Sequence, residues 1–201
     1  MNMKLFAATL TAMLCFGASA LDVDKAKTLG NPSAPVKLEL FSDFECPACK
    51  AFHEQVLPTL MRDYITPGKV CLVSHEFPLP IPAHKYSREA ALYAQAAAEV
   101  GRYQQVSDTL FFNQTTWGET GKVWETIAPQ LTPAEQKRVQ ALAKDPATAA
   151  AVQADVNLGN SMRVSQTPWL FVVHGEKRYA FPGPGRDNYG LLRQLIDGLL
   201  K

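Results

Sequence analysis

Two cysteines three apart, Cys46 and Cys49, lie in "FSDFECPACKAF" directly behind an apolar run. Residues so placed can staple a loop, supply half of a metal site, or open and close as a redox couple. Pro47 narrows the choice. Proline suits the first turn of a helix, where its missing N–H has no partner to lose. Cys46 is then the cap of that helix and Cys49 lies one turn in, a spacing that brings two α-carbons to about 5.5 Å, within reach of a disulfide. A sulfur at the cap also faces unpaired backbone N–H groups and the positive end of the helix dipole, which favour thiolate over thiol. Thiolate is the nucleophile. Cys46 is therefore the expected attacking sulfur, Pro47 and Ala48 the loop between, and Cys49, shielded on the inward side, the resolving thiol.

The elements that must hold this pair can be read on either side of it. Val36 to Phe41 has the character of a buried strand, and Phe52, Val56 and Leu60 recur every four residues after it, which is one helix face. Pro58 inside that helix predicts a kink. "KVCLVSHEF", 69 to 77, reads as a second strand after a Pro67-Gly68 turn. Strand, helix, strand is most simply a right-handed parallel unit. A Pro-rich connection, "PLPIPAH", leads into some eighty residues of helical patterning without strand signals; "LTPAEQKRVQALAKD" opens with a Thr cap and a proline at the first helical position. Strand character returns at "WLFVVHG", turns at Gly175-Glu176 into "EKRYAF", and a last helix over Asn188 to Leu200 is expected to face Leu191, Leu195 and Leu199 inward. The fold class is α/β, in the order β-α-β … β-β-α around an all-helical insertion. The expected divisions are 1–20, a lead-in over 21–35, a first part of the sheet domain over 36–82, the insertion over 83–163, and a second part over 164–201.

Thr167-Pro168 stands directly before the returning strand, where a proline cannot join the ladder. A cis bond is one solution, and it would offer the backbone near Thr167 to an extended peptide. Residues 1–20 have a positive start at Lys4, an apolar run from Leu5 to Phe16 and the small residues Ala18-Ser19-Ala20, the pattern of a secretory signal cleaved after Ala20. The run falls short of the roughly 20 apolar residues of a spanning helix. Cleavage leaves 181 of the 201 residues, with 19 basic against 19 acidic. Neither that balance nor any basic-aromatic patch points to nucleic acid. Of the four cysteines, Cys15 leaves with the signal; Cys46, Cys49 and Cys71 remain, too few for a secreted disulfide scaffold.

Taken together, "GNPSAPVKLELFSDFECPACKAF", "EFPLPIPAHKYSREAALYA", "DTLFFNQ" and "VSQTPWLFVVHG" resemble the DsbA-like thiol-disulfide oxidoreductases of the thioredoxin fold, over about Gly30 to Leu200. The resemblance implies that Cys46 attacks, Cys49 resolves and Pro168 is the cis-proline of a peptide groove with Thr167. It also implies no cofactor beyond the Cys46–Cys49 disulfide, reduced or unfolded proteins as substrates, and reoxidation by a membrane quinone-linked partner. The sequence departs from that pattern at Leu40, where members often carry a buried acid, at Gln166 in place of glycine, and at Ala48, where strongly oxidising members have histidine. With Asp43 and Glu45 adding negative charge nearby, a weaker oxidant is expected.

An exported dithiol stays oxidised outside the cytoplasm, so the expected function is a dithiol oxidase for secreted or periplasmic proteins, acting as a monomer and not inserted in the membrane after cleavage. Reductase and isomerase readings remain alternatives. The lead-in is too short for the dimerising domain that isomerases of this fold commonly carry. A metal module using Cys46, Cys49 and His53 is the alternative of another class, although no second compact Cys/His pair accompanies it. Cys71, in "VCLV", is expected to be core. His75 and His84 flank the Pro-rich connection, where packing or surface roles outrank a place on the groove. Trp117 and Trp124 are expected in the helical core, and Trp169 at the groove or buried on its strand.

Overall fold

The computed structural model describes residues 23–201; the signal expected over 1–20 lies outside the described residues. Five strands form one sheet: β1 (Thr28–Leu29), β2 (Val36–Ser42), β3 (Val70–Glu76), β4 (Trp169–His174) and β5 (Lys177–Pro182), in the order β1-β3-β2-β4-β5. β2 and β3 run parallel, in register from Val36 opposite Val70 to Ser42 opposite Glu76, and the other pairings are antiparallel. Central β2 buries Val36, Leu38 and Leu40 on one face and Glu39 and Phe41 on the other, while Lys37 near its start stays exposed.

Nine helices surround the sheet among the described residues: α1 (Val23–Ala26), α2 (47–65), α3 (Ser87–Ala98), α4 (Tyr103–Phe112), α5 (Gln114–Thr120), α6 (Val123–Ile127), α7 (Pro133–Leu142), α8 (Pro146–Ser161) and α9 (Tyr189–Leu199). One sheet face packs Val36, Leu38 and Leu40 against Phe52, Val56 and Leu60 of α2 and Leu192 and Ile196 of α9. The opposite face collects Phe41, Phe77, Val164 and Phe171, with Val156 of α8 against them. Gly159 lets α8 come this close: a Cβ there would sit 2.5 Å from Phe77 Cε2 and 3.1 Å from Phe41 Cδ1. The helices between β3 and β4 enclose a third core around Trp117, Leu110 and Ile127, and this cluster reaches Phe44, Cys46 and Cys49. The cysteines thus sit at the seam between sheet and insertion.

In three places the structure adds to the local expectations. Within α2 the chain passes Pro58 by opening into π-helical turns at Phe52–Val56 and Met61–Ile65, so Leu57 N–H reaches back to the Phe52 carbonyl. The wider turns absorb the donor and the room that a proline denies, and the helix runs on to residue 65. The 21–35 lead-in contains α1 and β1, a two-residue strand too short to show an alternation. In α9 Leu192 and Ile196 are fully buried, Leu195 and Leu199 of the expected stripe pack partly buried against the same core, and Leu191 is 61% exposed. Other local signals match: Thr132 and Glu135 form a capping box with Pro133 at the first helical position of α7, and His174 pairs with Lys177 across a two-residue turn.

Candidate active site

β2 ends at Ser42, and the segment 43–46 carries the chain over the top of the sheet into α2. Cys46 caps that helix with extended backbone, φ −73° and ψ 119°, and Pro47 opens it. Lys50 N–H closes the first turn on the Cys46 carbonyl at 3.1 Å. Asp43 fixes the approach. Its buried carboxylate accepts from Glu45 N–H at 2.8 Å, from Leu79 N–H at 2.8 Å and from the Ser87 hydroxyl, and its Oδ2 lies 2.7 Å from His84 Nδ1. Tyr86 N–H donates to Glu45 Oε2 at 2.7 Å, while Gln114 Nε2 donates to the carbonyls of Phe44 and Cys46. The Pro-rich connection and the insertion therefore hold the cysteine turn from two sides. His84 ties that turn down, and the negative charge of Asp43 is spent on these donors.

Both cysteines are free thiols here, and their environments are opposite. Cys46 is pushed down from an ordinary 9.0 to about 6, foremost because the Cys49 thiol donates to its sulfur. Burial works against this, and the backbone N–H groups of Ala48 and Cys49 assist. The neighbouring thiol thus outweighs the helix-start amides expected to dominate. Cys49, 1% exposed, is driven well above 9.0 by burial first and by the charge next to it. Asp43 N–H donates to its sulfur at 3.5 Å. One proton is held between two sulfurs, and Cys49 keeps it.

Across from this pair, the Thr167–Pro168 bond is cis. When protonated, Cys46 Sγ donates to the Thr167 carbonyl at 3.3 Å. The Thr167 hydroxyl is buried without a partner and is the group able to turn onto the sulfur once that proton has left. A cavity of about 520 Å³ opens beside Thr167 and Pro168, walled by Ala48, Ala51 and Gln55 of α2, Gln166 and the 183–187 loop. Gly183 N–H anchors that loop to the Pro168 carbonyl at 3.0 Å. Pro47, Ala48, Thr167 and Pro168, separated by some 120 residues of chain, thus share one site with both sulfurs.

Other candidates fall elsewhere. His53 stacks on Phe111 and places Nε2 2.9 Å from Asp108 Oδ1; among the described residues no group of three His, Cys, Asp or Glu is placed to hold a metal ion. His75 Nδ1 lies 2.8 Å from Asp155 Oδ1, and Glu39 meets Arg178 at 3.0 Å on the other side of the sheet from Leu40. Cys71 is buried in β3, Trp117 is fully buried in the insertion, Trp124 packs on Tyr93, and Trp169 leans on Phe171. Missed at the sequence level were Asp43 and Ser87 as anchors of the cysteine turn. A buried acid three residues before the first cysteine, followed by a helix that starts at a serine, was the available signal.

A cysteine pair at a helix start, facing a cis-proline across a sheet interrupted by helices, defines a DsbA-like protein of the thioredoxin fold. A family model described as Thioredoxin matches residues 22–181, and the chain belongs to that family. Disulfide bond formation protein D of Bacillus subtilis is 26% identical over 152 residues, covering 72% of this chain and 66% of that protein. The probable disulfide bond formation protein D of Bacillus anthracis is 32% identical over 105 residues, covering 52% of this chain and 46% of its own. The chain thus spans between about half and two thirds of the curated relatives it matches. The crystal structure of oxidised BdbD from Bacillus subtilis superposes with a TM-score of 0.72 at 22% identity, covering 90% of this chain and 96% of that one, which is likeness of fold.

The Cys46 environment has a direct consequence for pH. In the reduced protein one thiol should titrate near pH 6, seen as thiolate absorbance that Cys46→Ser abolishes. Its folded-state value lies below the ordinary 9.0, so the stability it lends the reduced form is complete above pH 9 and is lost as pH falls through 6. The melting temperature of the reduced protein should therefore drop across that window relative to the oxidised protein; parallel curves would remove the charge from Cys46.

Proposed function

We propose that the chain is an exported thiol-disulfide oxidoreductase that works as a dithiol oxidase, with Cys46 as nucleophile and Cys49 as resolving thiol. The observation that carries this is the opposed pair of sulfurs beside the groove: one stabilised as thiolate, the other kept protonated. A stabilised Cys46 thiolate favours the reduced state of the couple and so makes its disulfide oxidising.

In the forward direction, a substrate thiolate attacks Cys46 Sγ and the Cys46–Cys49 bond breaks. The electron pair goes to Cys49, which takes a proton. The substrate's second thiolate then attacks the substrate sulfur of the mixed disulfide, and Cys46 departs as thiolate. Two electrons pass from the substrate dithiol to the cysteine pair, and the second proton goes to solvent. An extended substrate segment would lie beside Thr167 and Pro168, in the manner of strand addition, where Gln166, Gln55 and the 183–187 loop provide polar contacts. Substrates on this reading are reduced or unfolded proteins outside the cytoplasm, and the reduced pair is returned to the disulfide by a membrane quinone-linked partner. The protein acts as a monomer with no cofactor besides its own disulfide.

Equilibration with glutathione buffers tests the direction. The couple should fall between about −270 mV, the value for thioredoxin, and about −120 mV, the value for DsbA. A potential at or below the lower limit would make the protein a reductant and overturn the oxidase reading.

A further inference from the structure

Cys49 must gain a proton when the disulfide opens and lose one when it closes, yet its sulfur is sealed from solvent. Its contacts lead inward. The Ser42 hydroxyl, at the end of β2, is the neighbouring side chain that favours charge on the Cys49 sulfur. Ser42 also stands in register with Glu76 across the parallel β2–β3 pair, so the two side chains leave the sheet on one face. That face, with Leu40, Leu72 and Ser74, closes one side of a cavity of about 20 Å³. His53 and Leu57 of α2 and Tyr103, Gln104 and Ser107 of α4 line it from the helices, with Leu29, Phe44 and Phe111 filling the apolar remainder. The space suits one water molecule, and its wall presents Gln104 Nε2, a buried donor without a partner.

At the inner end of this cavity, Glu76 is 2% exposed. Tyr103 donates its hydroxyl to Glu76 Oε1 at 2.7 Å, and Lys27 Nζ lies 3.9 Å from the same oxygen. The remaining charged and titratable groups packed around it are Asp155, whose Oδ2 accepts Glu76 N–H at 3.0 Å and binds Lys27 Nζ at 2.6 Å, and His75, bound to the other oxygen of Asp155. His53 faces the cavity from α2. Burial raises the Glu76 carboxyl to about 7, with Lys27 opposing. It can therefore hold or release a proton near neutrality. Two rivals are engaged elsewhere: the Asp43 carboxylate is saturated by its donors, and His53 Nε2 is turned to a half-exposed Asp108.

We propose that Glu76 stores the proton of Cys49, passing it through Ser42 and a water held in this cavity. When the Cys46–Cys49 bond breaks, protonated Glu76 supplies the proton that neutralises the Cys49 thiolate. When the disulfide is remade, the Glu76 carboxylate takes that proton back as Cys49 attacks the mixed disulfide on Cys46, whose former partner leaves as thiolate. Glu76 touches neither substrate nor the reacting sulfurs, so it acts as a positioning residue for the proton. The inference rests on the proposed thiol-disulfide exchange.

The test follows the reduced protein with oxidised glutathione and resolves two steps: glutathionylation of Cys46, then release of glutathione as Cys49 attacks. Glu76→Gln should slow the second step on the order of 10²-fold and erase its pH dependence near 7. The first step and the Cys46 titration should stay as they are, and Glu76→Asp should restore part of the loss. Ser42→Ala interrupts the same path without touching the buried charges around Lys27, and should reproduce the defect if Glu76→Gln fails to fold. A second step that keeps its wild-type pH profile in Glu76→Gln, or in Ser42→Ala where that variant stands in, would overturn the role; so would a profile that shifts only in His53→Asn. Absence of the first step in the wild type would instead sink the proposed exchange itself.

Discussion

Cys46→Ala should abolish exchange with oxidised glutathione at pH 7, whereas Cys49→Ala should complete the first attack and stop as a mixed disulfide. The asymmetry follows from the two sulfurs. With a value of about 6, Cys46 is about nine-tenths thiolate at neutral pH, whereas an ordinary thiol is thiolate only at the per cent level. The gain in attack is smaller than this fraction, because nucleophilicity falls with pKa at a Brønsted slope of about 0.4–0.5. What remains is a several-fold advantage. The larger effect is on departure, since a thiol of lower pKa leaves faster, and Cys46 is the sulfur that leaves when the product disulfide forms. Cys49, kept protonated, does not compete for substrate. Cys49→Ala also removes the hydrogen bond that does most to lower Cys46, so its thiolate titration should move up toward 9.0. Mass spectrometry after incubation with oxidised glutathione would show the glutathione adduct retained by Cys49→Ala and none on Cys46→Ala. Equal trapping by both variants would remove the division of labour between the sulfurs.

Most of the architecture was legible because each element carried its own local signal. The apolar run of β2, the four-residue recurrence of Phe52, Val56 and Leu60, the Thr132 cap and the Gly175-Glu176 turn are short-range patterns, and the strands and helices appear where those patterns stand. Cys46 and Pro47 were equally plain, since a cap and a first-turn proline are properties of adjacent residues. Local patterns fail where partners are remote. β1 has two residues and is set by pairing with β3, and the α9 face depends on how that helix rolls against β2 and β4. Asp43 illustrates the harder case. In sequence it was a negative charge near a nucleophile, expected to disfavour thiolate; in space its donors come from residues 45, 79, 84 and 87. Glu76 was hidden similarly, because its neighbours Lys27, Tyr103 and Asp155 come from three separate stretches of the chain.

Asp43→Ala should destabilise the protein by about 3 kcal/mol or more, since it strands several buried donors that each cost about 1–3 kcal/mol when left unpaired. The side chain of Asp43 is fully buried, so water cannot replace it without opening the turn. Leu79 N–H and His84 belong to the Pro-rich connection, Ser87 begins α3, and Glu45 precedes the nucleophile; one carboxylate joins all four. Asp43→Asn keeps one acceptor but turns an N–H₂ toward donors, so it should recover only part of the loss. Urea unfolding of the oxidised protein measures the effect, with an unchanged m-value marking a loss of stability alone. The same substitution should loosen Glu45 and the Cys46 turn, lowering the rate of glutathionylation even under conditions where the variant is folded. A loss below about 1 kcal/mol would mean that the turn is held chiefly by Gln114 on the carbonyls of Phe44 and Cys46, a single neutral hydrogen bond being worth about that much. The insertion, and no longer the Pro-rich connection, would then be the element that positions the nucleophile.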